Sequence, residues 1–341
     1  MTKLRTLAGF ALIGVVALAP FPHSGAITEG ITKGAVQQEV ARAKAPQPQS
    51  QSVQAAKSPA KAGPKNPDEH PCVRGIINGG KPGNVFVLMQ YHMDPVKETV
   101  NDQTATSQIL IYHLLNDLIR NYGVKAVLFE GLAFGRDVKR DFEKGEGPML
   151  HGRVHADAFR KCISESGKEM LSALAETDPG HATPRNLEDL CLAVSLMNGD
   201  PFANQHVLLS EHSGVFFTGL EEDMEVQKKE MEGIKTILGE LRRDPSLKDD
   251  PEFKKRIEAV DAQLNDMQRD RFAIKAAVSK SPVNSAVVMG AYHEKRLQKA
   301  IEEIPYAGRP TFCFVPHSCQ HSEEFYIWPD AINAARFASG K

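Results

Sequence analysis

No basic stripe dominates this sequence, aromatic residues are few, and its cysteines never occur as Cys-x-x-Cys. Each absence excludes a class of function. Lys and Arg number 41 against 43 Asp and Glu, with the signs mixed along the chain, so the positive stripe that nucleic-acid binders carry is not there. Five cysteines without a Cys-x-x-Cys pair argue against a thiolate zinc site. Long apolar runs are also short in supply, since Leu7 to Leu18 is too brief for a membrane span. With 341 residues and ordinary apolar and charged fractions, the chain is read as a globular protein of one large or two small domains. A chain of this length buries roughly three quarters of its unfolded surface and folds without staples.

What is present begins with a leader. Lys3 and Arg5 precede the apolar run, and Ser24-Gly25-Ala26 offers small residues for cleavage, which predicts a secretory signal peptide over residues 1–26 and an exported, periplasmic or secreted protein. An uncleaved N-terminal anchor is the alternative. Residues 27–70 are rich in Ala, Gln, Pro, Lys and Ser and read as a flexible tether, with the folded domain at 71–341. Export lets cysteines pair. Cys313 and Cys319, flanking Pro316, are the couple closest in sequence, although spacing fixes no connectivity and one thiol must be left over.

The pattern from Val73 onward predicts an α/β fold: a central mixed, largely parallel sheet flanked by helices, with a long helical hairpin inserted at about 221–281. Arg74–Asn78 and Asn84–Met89 read as a hairpin through the Gly79–Gly83 turn. Ser107–Asn121 has the apolar spacing of an amphipathic helix, and further strands are predicted at 124–129, 215–218, 286–289 and 311–315. Two stripes, one through Met231, Ile234 and Leu238 and one through Phe253, Ile257 and Val260, make the hairpin, whose apolar residues pack on each other or support self-association.

Three strand ends carry the chemistry. Val85–Met89 is followed by Gln90-Tyr91-His92, Val124–Phe129 by Glu130, and Ala286–Gly290 by Ala291-Tyr292-His293. In an open α/β sheet ligands bind beyond the carboxyl ends of the strands, so His92, Glu130 and His293 are expected to converge on one cleft. Two histidines and a carboxylate suit Zn, Mn, Co or Fe and leave positions open for water, which makes amide or ester hydrolysis the natural chemistry. Without metal, His92 or His293 serves as general base with Glu130 orienting it. Asp94 and Glu294, each close to a histidine in sequence, are available to support the imidazoles, and Arg269, Arg271 and Arg296 either reach the cleft or are solvated surface. Elsewhere His151 and His155 have a metal-site spacing, His317 and His321 flank Cys319, and His113 inside an amphipathic helix reads as structural.

These motifs, ending in Gly290-Ala291-Tyr292-His293, resemble the superfamily that joins erythromycin esterases, ChaN-like haem-uptake proteins and TraB/Tiki proteins. The resemblance implies repeated strand-and-helix units and a site at His92, Glu130 and His293, with Gly290 and Tyr292 as cofactor contacts. Met89 stands where that superfamily usually has glycine, and Gln90 where its esterase and ChaN-like branches have glutamate. It implies an exported metal-dependent hydrolase of the Tiki kind acting on a small-molecule or peptide substrate. The alternatives are a haem- or iron-binding protein without catalysis, and an interaction protein with a degenerate site.

Overall fold

The computed structural model describes residues 64–91, 101–145, 149–166, 182–197, 203–222, 224–264 and 267–316, with a few positions between and beyond them. The expected leader, most of the tether, His92, Asp94, His181, His317, His321 and Tyr326–Trp328 lie outside these residues.

The strands are β1 (Gly75–Ile77), β2 (Asn84–Gln90), β3 (Val124–Ala133), β4 (Phe216–Glu221), β5 (Asn284–Gly290) and β6 (Thr311–Val315). They form one mixed sheet in the order β1-β6-β2-β5-β3-β4, parallel throughout except for β1 against β6. The helices are α1 (Asp102–Asn121), α2 (Val138–Lys144), α3 (Met149–Lys161), α4 (Pro184–Met197), α5 (Ala203–Glu211), α6 (Met224–Arg243), α7 (Pro251–Leu264), α8 (Gln268–Val278) and α9 (Glu294–Glu302). None of them is long and apolar enough to cross a membrane.

The central strands are apolar on consecutive residues because both of their faces are covered. Phe86 and Leu88 of β2, Val127 and Phe129 of β3 and Ala286 and Val288 of β5 pack with α1 to α5. Val87 and Met89, Ala126 and Leu128, and Val287 and Met289 point the other way, onto α8 and α9. Neighbouring β2 and β5 run in register from Val85 beside Ser285 to Gln90 beside Gly290. The chain leaves β2 through α1 on one face and leaves β5 through α9 on the other, so their carboxyl ends sit where the connections part.

Three expectations change. The hairpin of β1 with β2 does not form, because β6 lies between them. The Gly79–Gly83 segment instead clasps the turn before β6: Gly80 N–H donates to Tyr306 O (2.7 Å) and Lys81 N–H to Arg309 O (2.9 Å). A side chain at Gly79 would collide with the Arg309 and Pro310 carbonyls, so only glycine fits. Residues 64–70, assigned by composition to the tether, belong to the folded body: Lys65 N–H donates to Asn121 O (2.9 Å), and His70 is buried, its Nδ1 accepting from Cys72 N–H (3.0 Å). Finally, Cys313 and Cys319 are not partners. Cys72 joins Cys319, Cys162 joins Cys191, and Cys313 is the free thiol, buried on β6. Bonding Cys319 also withdraws its sulfur from any soft-metal cluster with His317 and His321.

Burial pushes the Cys313 thiol up to about 12, with Asp68 adding to the shift. At pH 8 its thiolate fraction is therefore about one in ten thousand. Iodoacetamide is expected to leave the native protein unlabelled and to add one label in denaturant without reductant, read by mass spectrometry; two or more labels there would overturn the pairing.

Candidate functional site

Glu130 continues the parity of Ala126 and Leu128 and so emerges on the α8 side of the sheet rim. Beyond it β3 shifts register against β4, and Gly131, at φ 84°, supplies a backbone conformation that a side chain would strain. Gly219 on β4 meets this bend so closely that a Cβ there would strike Leu132 O. The two strands are thereby held together where their carboxylates, Glu130 and Glu221, project.

Glu221 is buried, Glu130 is part-buried with its side chain 8% exposed, and the two share one guanidinium. Arg269 Nη2 donates to Glu130 Oε1 (2.6 Å) and to Glu221 Oε1 (2.7 Å), and its Nε donates to Glu221 Oε2 (2.8 Å). Glu221 Oε1 also accepts from Gly131 N–H (3.0 Å), and Glu130 Oε2 accepts from Gly290 N–H (2.7 Å). The last bond gives Gly290 its part in the site: it fixes the carboxylate of the neighbouring strand through its backbone.

His293 ends a 3-10 turn, Ala291–His293, between β5 and α9, and is buried. Its Nδ1 lies 2.7 Å from Oδ1 of Asp270, which is fully buried on α8. Arg296, in the first turn of α9, donates from Nε to Asp270 Oδ2 (2.9 Å) and fixes the orientation of that carboxylate. Arg296 Nη2 also lies 3.0 Å from Nδ1, where it donates in the tautomer that carries its proton on Nε2; the buried Asp270 carboxylate favours the other tautomer, in which Nδ1–H donates to Oδ1. The remaining nitrogen, Nε2, stands 3.6 Å from Glu130 Oε1. An oxygen atom placed beside that pair is within hydrogen-bond reach of both.

The structure thus brings Glu130 and His293 together, while His92 lies outside the described residues. Asp270, not Glu294, partners the imidazole, and of the two readings open for the arginines Arg269 and Arg296 take the cleft. Arg271 does not: it faces out and pairs with Glu303 (2.7 Å). Tyr292 stands at the rim, 61% exposed, with the Arg296 guanidinium 4.7 Å from its ring centroid. On the opposite face, Gln90 accepts from the Gln108 amide of α1 (3.0 Å) and takes no part in this cluster. His113 binds Asp189 (2.5 Å) on α4. His155 lies on α3 with His151, whose side chain is outside the described residues.

A divalent metal does not fit the donors described. Arg269 and Gly290 already occupy the two oxygens of Glu130, Asp270 is held between His293 and Arg296, and no group of three His, Cys, Asp or Glu side chains among the described residues is arranged to hold an ion. Three carboxylates (Glu130, Glu221, Asp270) face two guanidiniums (Arg269, Arg296), leaving one negative charge that a proton on His293 would cancel.

Of the residues not foreseen, Glu221 repeats the strand-then-glutamate pattern of Glu130. Asp270 falls in register with Ala273, Ile274 and Ala277, the buried stripe of α8, and a carboxylate in that register must find partners. Comparison with family models, with curated proteins and with solved structures found no match, so the reading of this site rests on its own geometry.

Proposed function

We propose that the protein is an exported hydrolase of an amide or ester bond, working by general acid–base catalysis through His293. The observation that carries the reading is the imidazole itself, oriented at Nδ1 by buried Asp270 and presenting Nε2 toward Glu130 at the carboxyl rim of parallel strands. Water beside this pair gives its proton to Nε2 as its oxygen attacks the carbonyl carbon. The same proton then passes to the leaving nitrogen or oxygen as the acyl bond breaks, so His293 ends as it began. Glu130, fixed by Arg269 and Gly290 N–H, orients the water. Two disulfides, together with the N-terminal leader pattern, support export into an oxidising compartment.

A second reading, haem capture, is favoured by Tyr292, an exposed phenol of a residue type that ligates haem iron, next to His293. One experiment separates the two. The full chain is incubated with a panel of p-nitrophenyl esters and anilides in the presence of a chelator, and separately titrated with haem. Turnover that survives chelation is the expected result. Turnover that requires an added divalent ion would return the site to metal chemistry involving His92. A Soret shift without turnover would leave haem binding as the function.

A further inference from the structure

At the other pole of the molecule lies a cavity of about 600 Å³ that the rim site does not use. α1 runs between the two: Ser107 near its start accepts from Tyr91 N–H, just past β2, while Tyr122 after its end accepts from Asn284 at the start of β5. The cavity is lined by Lys65, Arg120 and Arg185, with His113 in its wall and Glu69 and Asp117 as the acids. We propose that this cavity binds a small anion carrying a carboxylate or phosphate group, held chiefly by Arg120.

Three observations carry the assignment. Arg120 makes no hydrogen bond and no ion pair among the described residues, although Glu188 and Glu211 lie within its electrostatic reach, so its five donors face an open concavity without a bonded acceptor there. A helix C-terminus attracts a cation but uses none of that donor fork. Secondly, the acid nearest in sequence is already engaged: Asp117 faces His70 Nε2 (3.4 Å) and accepts from Asn121 (2.6 Å), which together outweigh burial and hold its carboxyl below the ordinary range. Thirdly, His113 is locked onto fully buried Asp189 through Nε2 (2.5 Å), while its Nδ1 makes no hydrogen bond among the described residues. Lys65, Arg120 and Arg185 against Glu69 and Asp117 leave the wall one positive charge before any imidazole gains a proton. The field extends inward: His212 is pushed below its usual range by burial and then by Arg120 and Lys139. Burial raises Glu188 and Glu211 above the ordinary carboxylate range, while Arg120 draws both back down.

The test uses the full chain at low ionic strength, with inorganic phosphate and malonate as probes in separate calorimetric titrations. Saturable binding of either supports the proposal, and the stronger of the two identifies the group preferred. Arg120→Gln is expected to weaken that probe by about tenfold or more, the cost of a charge-assisted hydrogen bond. Arg271→Gln, on the other face of the sheet, is expected to leave binding unchanged. Arg120 is exposed, so its replacement leaves the fold intact, which circular dichroism checks. No heat with either probe up to 10 mM (about 3 kcal/mol of affinity), or equal losses in the two variants, would overturn the site.

Discussion

Replacing His293 by alanine is expected to lower turnover by about two to four orders of magnitude, the usual worth of a positioned general acid–base group. The far-ultraviolet circular dichroism should not change. Removal of the imidazole leaves Asp270 without Nδ1–H, but the carboxylate keeps Arg296 at 2.9 Å and is not orphaned. Stability therefore moves little while activity collapses. Asp270→Asn provides the finer comparison. An amide at that position can donate to Nδ1, favouring the tautomer that carries its proton on Nε2 and cannot accept one there. The variant should lose kcat with little change in KM, since the residue acts on the imidazole and not on the substrate. Should His293→Ala keep turnover within tenfold of the unaltered protein, His293 is not the proton carrier and the hydrolytic reading falls with it.

The α/β class was legible because its cause is local. Val85–Met89, Val124–Phe129 and Ala286–Met289 are consecutive apolar runs of strand length, and such runs occur where a sheet is covered on both faces. Strand order is a different matter. Nothing in Gly75–Ile77 distinguishes β6 from β2 as its neighbour, since the choice depends on how Gly79 and Gly80 meet the turn at Tyr306–Arg309, more than 200 residues away in the chain. The same holds for the thiols. Cys72 reaches Cys319 across 247 residues, and proximity in sequence pointed instead to Cys313. In the site, strand ends disclosed Glu130 and His293, whereas their partners Arg269 and Asp270 come from the first turn of α8. A charged pair at a helix start normally reads as solvated surface. Only the apolar register of Ala273, Ile274 and Ala277 marks Asp270 as turned inward.

Arg269→Met is expected to destabilise the protein by about 3–5 kcal/mol, the cost of removing one member of a buried ionic group. The guanidinium serves two carboxylates at once, Glu130 and Glu221, whose side chains are only 8% and 3% exposed. Without it Glu130 keeps Gly290 N–H and Glu221 keeps Gly131 N–H, but both carboxylates lose the guanidinium that they share. Against a total of about 5–15 kcal/mol, that loss is a large share. Urea unfolding with the disulfides intact should show the midpoint falling at unchanged slope. Arg269→Lys should fall between, since an ammonium supplies the charge and not the planar fork that spans both acids. Adding Glu221→Gln to Arg269→Met should recover part of the loss by removing one of the two carboxylate charges, and the deficit in additivity measures their coupling. A cost below about 1 kcal/mol for Arg269→Met would place this pair in the range of surface salt bridges. Glu130 would then owe little of its position to the guanidinium, and the 3.6 Å approach to His293 would lack the brace on which the proposed water position depends.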